Sequence, residues 1–114
     1  MCKRFAGAAL IAGVLVLAST SYSSPPAGDA AAGKDVFLKK CKTCHGENGQ
    51  GNEGMANLLK TKIAPFDSDE VQGKSDADIK VIIVEGKGKM KPVKDISDSD
   101  INNVIAYVRT FKKK

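Results

Sequence analysis

The pentapeptide Cys41-Lys42-Thr43-Cys44-His45 carries more chemistry than any other stretch of this 114-residue chain. Its two thiols fall on one side of a helical turn, and an imidazole follows at once. Three chemistries use such a spacing. A thioredoxin-like redox pair needs a βαβ setting. A tetrahedral zinc site needs four ligands. Haem attachment needs two thiols for the two vinyl groups and an adjacent histidine to give the iron a nitrogen. Beyond residue 28 the chain has only these two cysteines and this one histidine, and the flanking pattern is helical. Haem attachment is therefore the chemistry that the motif fits.

Asp29, upstream of the motif, is placed to cap a helix in which Gly33, Val36, Phe37 and Cys41 share a stripe, while Lys34, Lys39, Lys40 and Lys42 lie mostly outside it. The spacing predicts a helix running from Ala30 to near Cys44, delivering the chain into the motif. Gly46, Gly49, Gly51 and Gly54 follow with two asparagines, which is turn chemistry. Residues 55–63 have room for a short helical turn. Residues 65–73 are acidic and read as irregular, with Phe66 their one large apolar group.

Ser75-Asp76-Ala77-Asp78 has the pattern of a helix start, and Ile79, Ile82 and Ile83 follow at helical spacing before Gly86. The run Val81-Ile82-Ile83-Val84 also suits a short buried strand, but the cap and the terminal glycine favour helix. A loop, Gly86-Lys87-Gly88-Lys89-Met90-Lys91-Pro92, comes next. Ser97 then opens a last helix, whose Ile101, Val104, Ile105 and Val108 form one apolar stripe widened by Tyr107 and Phe111. Arg109 and Lys112 to Lys114 suit the negative end of its dipole.

The chain is 42% apolar and 27% charged, as a globular protein should be, but only 5% aromatic and without Trp, which excludes an aromatic platform for single-stranded nucleic acid. Residues 5–18 are uncharged and apolar behind Lys3 and Arg4, and small residues follow at Ser21 and Ser23: residues 1–23 read as a signal peptide and residues 24–28 as a flexible linker. As an uncleaved anchor the run is short, since a bilayer needs about 20 apolar residues. Cys2 precedes the run, which argues against a lipoprotein. Losing Lys3 and Arg4 with the leader lowers the net charge from +5 to +3, so the basicity is no argument for nucleic acid. A domain of about 90 residues buries only roughly 60–65% of its unfolded surface, and this one needs apolar bulk from elsewhere. A haem supplies it.

An iron held by histidine on one face takes a thioether well on the other, because sulfur favours the reduced state. Met55 lies ten residues past His45, a tight path around a macrocycle. Met90 lies 45 residues on, after an intervening helix and among lysines, where a buried filler role is the poorer account.

With these features the chain resembles the class I c-type cytochromes, small single-haem carriers, over about residues 29–114. The resemblance implies an all-α cytochrome c fold of three to four short helices wrapped around one covalent haem c. In it Cys41 and Cys44 form the thioethers, and His45 and Met90 are the axial ligands. It also implies that Gly33 and Phe37 meet Tyr107 where the first and last helices cross. Gly54-Met55 stands where the family has a Gly-Pro pair whose carbonyl holds the imidazole N–H, so the Met55 carbonyl is expected to accept from His45. Lys91 separates Met90 from Pro92 where the family has Met-Pro.

The function so implied is that of a soluble, monomeric periplasmic electron carrier, with no catalytic residues and no stable membrane insertion after leader cleavage. Its partners are redox proteins, acidic at their docking face if Lys39, Lys40, Lys42, Lys87, Lys89, Lys91 and Lys94 ring the haem edge. One alternative is a haem subunit of a larger dehydrogenase or oxidase. Another is a five-coordinate peroxidase or ligand sensor, which the lack of a second histidine and of a distal acid–base group disfavours.

Overall fold

The computed structural model describes residue 7, residues 9–19 and residues 28–114. Six helices are present among them: α1 (Ala30–Lys40), α2 (Lys42–His45), α3 (Glu53–Leu58), α4 (Asp69–Gln72), α5 (Asp76–Glu85) and α6 (Asp98–Arg109). The caps read from sequence form as local chemistry dictates. The Asp29 carboxylate accepts from the N–H groups of Ala31 and Ala32, the Ser75 hydroxyl from that of Asp78, and the Ser97 hydroxyl from that of Asp100.

The fold is organised by the crossing of α1 and α6. Gly33 is buried there, and a Cβ on it would lie 1.8 Å from the Asn103 carbonyl oxygen, so only glycine allows the approach. The Asn103 side chain accepts from the Asp29 N–H at 2.8 Å, pinning the start of α1 to α6. Phe37 is fully buried, with its ring centroid 5.3 Å from that of Tyr107 and 5.5 Å from that of Phe66. Ile79 and Ile83 of α5 and Ile101, Val104, Ile105 and Val108 of α6 complete the core. The anticipated meeting of Gly33 and Phe37 with α6 is what the structure contains.

Three sequence expectations are corrected. The first helix does not run through to Cys44: it ends at Lys40, Cys41 leaves helical geometry (φ −120°, ψ −26°), and α2 restarts as a single turn. The segment expected to be irregular contains α4, which begins where the Ser68 hydroxyl accepts from the Val71 N–H. The helices accordingly number six rather than three to four, because α2 and α4 are four-residue turns too short to show periodicity. Residues 81–84 lie within α5 rather than in a strand, as the cap and Gly86 indicated.

Residues 9–19 form no regular secondary structure and are exposed. The rest of the expected leader and most of the linker, residues 1–6, 8 and 20–27, lie outside the described residues. No helix among the described residues is long and apolar enough to cross a membrane.

Candidate functional site

The Cys-x-x-Cys-His segment is shaped by its carbonyls. The N–H groups of Cys44 and His45 both reach the Cys41 carbonyl, at 3.3 and 3.1 Å, and the Gly46 N–H reaches that of Lys42 at 2.8 Å. One turn therefore separates the two thiols, and both are free. The loop that follows doubles back on this turn. The Gly51 N–H donates to the His45 carbonyl at 2.7 Å and the Asn52 N–H to that of Cys44 at 2.9 Å. The Asn52 side chain reaches the Thr43 carbonyl with its amide nitrogen and caps α3 with its oxygen. Gly46, Gly49 and Gly51 adopt φ of +80°, +66° and +84°, the left-handed region that makes this glycine-rich path available.

Burial pushes the Cys41 thiol up to about 11 against the opposing pull of Lys40, with a smaller upward push from Cys44. Burial also lowers the His45 imidazole below its ordinary value, which favours the neutral, metal-ligating form. His45 Nδ1 is buried and has no hydrogen-bond partner. The expected bond to the Met55 carbonyl is not made; that carbonyl accepts from the Leu59 N–H at 2.9 Å. What lies against the imidazole is the Phe66 ring, with centroids 5.0 Å apart and planes at 35°.

Met90 sits in a loop tied at several points. The N–H and C=O of Lys87 and Met90 are bonded reciprocally at 2.9 Å around Gly88 (φ +57°). Gly86 is packed so closely that an added Cβ would lie 2.6 Å from the Met90 carbonyl oxygen. Further on, the Val93 N–H donates to the Ile83 carbonyl in α5 at 2.9 Å. The Lys40 ammonium, one residue before Cys41, donates to the Lys94 carbonyl at 3.1 Å, drawing the far end of this loop to the start of the motif. These bonds tie the loop to α5 and to the end of α1. Met55 instead shares the wall of an open cleft of about 830 Å³ with Thr43 and Gly46. That cleft includes neither thiol, nor His45, nor Met90.

The donor set fits a haem. It comprises two free thiols one turn apart, a neutral imidazole with one buried, orphaned nitrogen, and a half-buried thioether in a fixed loop. Leu58 of α3 is 73% exposed, and Val81 and Val84 of α5 are 51% and 48% exposed, so apolar surface remains that the protein core does not cover. A site for a bare metal ion is not formed, for no three His, Cys, Asp or Glu side chains gather among the described residues.

A family model described as cytochrome c oxidase, cbb3-type, subunit III matches residues 28–108. The chain belongs to this family of c-type cytochromes. It is 33% identical over 100 residues to cytochrome c-554(547) of Halothiobacillus neapolitanus, covering 75% of this chain and 100% of that one. It is likewise 33% identical over 96 residues to the cbb3-type cytochrome c oxidase subunit FixP of Azorhizobium caulinodans, covering 80% of this chain but only 31% of that one. This cytochrome thus spans about a third of the FixP length. The solved structure of the KustC0563 c-type cytochrome superposes with a TM-score of 0.61 at 32% identity, over 71% of this chain and 98% of that one. The fold is the all-α cytochrome c fold, and the cofactor of the family is covalently bound haem c.

Sequence reasoning left two contributors to the site without a role. Phe66 was visible only as apolar bulk. Asn52, followed by Glu53, carried a cap signal that went unused.

Proposed function

We propose that this cytochrome domain, residues 29–114, is a soluble electron carrier exported to the periplasm by the leader at residues 1–23. In this reading Cys41 and Cys44 bind the haem as thioethers, His45 is its proximal ligand and Met90 its distal ligand. When bound, the haem supplies one-electron exchange between ferric and ferrous iron. The chain's residues hold it, close both axial positions to exogenous ligands and leave no place for a substrate. The observation that carries the reading is the pairing of the Cys-x-x-Cys-His turn with a Met90 loop bonded through Lys94 to the residue before Cys41. Met55, around one cleft with Thr43 and Gly46, belongs to the motif's own side.

The seven lysines flanking the Cys motif and Met90 are exposed, and they favour an acidic redox partner through long-range attraction. Carbon monoxide tests the closed iron: slow, weak binding to the ferrous protein supports two axial side chains, and rapid tight binding contradicts them. Mass spectrometry of the exported protein tests attachment. A Cys41→Ser/Cys44→Ser variant should lose the covalent haem, and haem retained after denaturation would refute the thioether assignment.

A second reading, a haem domain working within a larger oxidase, is favoured by the match to FixP. Gel filtration of a native extract separates the two, because a free carrier elutes near its monomer mass.

A further inference from the structure

Phe66 is fixed at every point where it touches the protein. Its N–H donates to the Gly49 carbonyl at 2.8 Å, and its carbonyl accepts from the Gln72 side-chain amide at 2.6 Å. Its ring lies over Gly49, where a Cβ would come within 2.6 Å of ring carbon Cδ2. The ring also meets Phe37 and Phe111 edge-on, at centroid separations of 5.5 and 5.8 Å. It lies 5.0 Å, centroid to centroid, from the His45 imidazole.

Gln72 is held in turn. The same amide nitrogen donates to the Val108 carbonyl at 2.9 Å, so both of its N–H groups are used. The Gln72 backbone carbonyl and side-chain oxygen accept from the Arg109 guanidinium at 3.1 and 3.4 Å. Arg109 is itself anchored by the Lys74 carbonyl at 2.5 Å and by the Asp76 carboxylate at 2.8 and 3.0 Å. A continuous path thus runs from α6 through Gln72 and Phe66 to the imidazole. A metal-bound histidine is ordinarily oriented by a hydrogen bond from its second nitrogen. Here that nitrogen, Nδ1, is buried without one.

We propose that the Phe66 ring sets the plane of the His45 imidazole in place of a hydrogen bond, and that Gln72, locked by Arg109, is the positioning residue that holds Phe66 there. The inference rests on His45 being the proximal ligand, as proposed above. It assigns a positioning role to two residues outside the Cys-x-x-Cys-His motif.

The test is proton NMR of the ferric holoprotein. The order and spread of the haem methyl resonances follow the plane of the axial imidazole. Phe66→Leu should change that order while the sulfur–iron charge-transfer band persists, and Phe66→Tyr should restore it. Gln72→Leu should shift the resonances in the same direction by a smaller amount. Ile101→Val, a core change in α6, should lower the unfolding midpoint and leave the pattern unmoved. If Phe66→Leu does not retain haem, Gln72→Leu decides. A wild-type pattern in Gln72→Leu, or in a folded Phe66→Leu, would overturn the proposal and make these residues merely structural. His45→Ala reads the underlying ligation separately. Loss of the low-spin ferric spectrum there leaves any unchanged pattern to count against the positioning role alone, whereas its survival would overturn both.

Discussion

The crossing of α1 with α6 and the loop after the Cys-x-x-Cys-His motif both bring backbone against backbone, but by different means. At the crossing, apolar side chains do the holding: Phe37, Ile101, Val104, Ile105 and Val108 are buried, and Gly33 makes room. Between His45 and Leu58 only glycines are buried, and the chain is held by its own N–H and C=O groups and by Asn52. The first region is stable by burial, which is insensitive to small shifts. The second depends on directional bonds whose net worth is about 1 kcal/mol each, and it leaves the apolar side chain of Leu58 facing outward. The two halves of the domain are thus held by different interactions.

Substitutions should separate the two regions. The largest effect is expected from Phe37→Ala, which removes a fully buried ring. It should cost about 3–5 kcal/mol in denaturant unfolding while the folded holoprotein keeps its sulfur–iron charge-transfer band. Loss of the band at low denaturant would show that the halves are not separable in this way. Asn52→Ala comes next, losing the α3 cap and the bond to the Thr43 carbonyl. Its cost should be about 1 kcal/mol, and native-state hydrogen exchange should quicken at Met55 and Asn52 but not along α6. Equal acceleration in α6 would break the comparison. Lys89→Glu with Lys91→Glu should leave stability within about 0.5 kcal/mol of wild type, since both side chains are exposed. It should instead slow electron exchange with an acidic partner at low ionic strength, by an amount that shrinks as salt rises. Rates equal to wild type at low salt would remove the lysines from docking.

How much of this was legible in the sequence follows from the range of each interaction. Asp29, Ser75 and Ser97 bond to amides two or three residues away, so their roles could be read locally. The α6 stripe from Ile101 to Val108 announced the core, and Gly33 its crossing point. The α4 turn has no period to detect, and the break at Cys41 depends on the motif's own carbonyl pattern. Arg109 finds Gln72 across 37 positions, and Gln72 finds Val108 across 36, which nothing in the local pattern signals. The expected bond from His45 to the Met55 carbonyl is likewise absent: Phe66, 21 residues after His45, lies beside the ring instead.

In the proposed ligation, a cofactor bound through the Cys-x-x-Cys-His turn is completed by a thioether from the separate loop at Met90. The most direct measurement is the optical spectrum of the ferric, haem-loaded protein beside that of Met90→Ala, in the region of the weak sulfur–iron charge-transfer band. The wild type should show the band and the variant should lose it. A wild-type protein without the band, or a variant that keeps it, would contradict the assignment and turn attention to Met55 or an open iron.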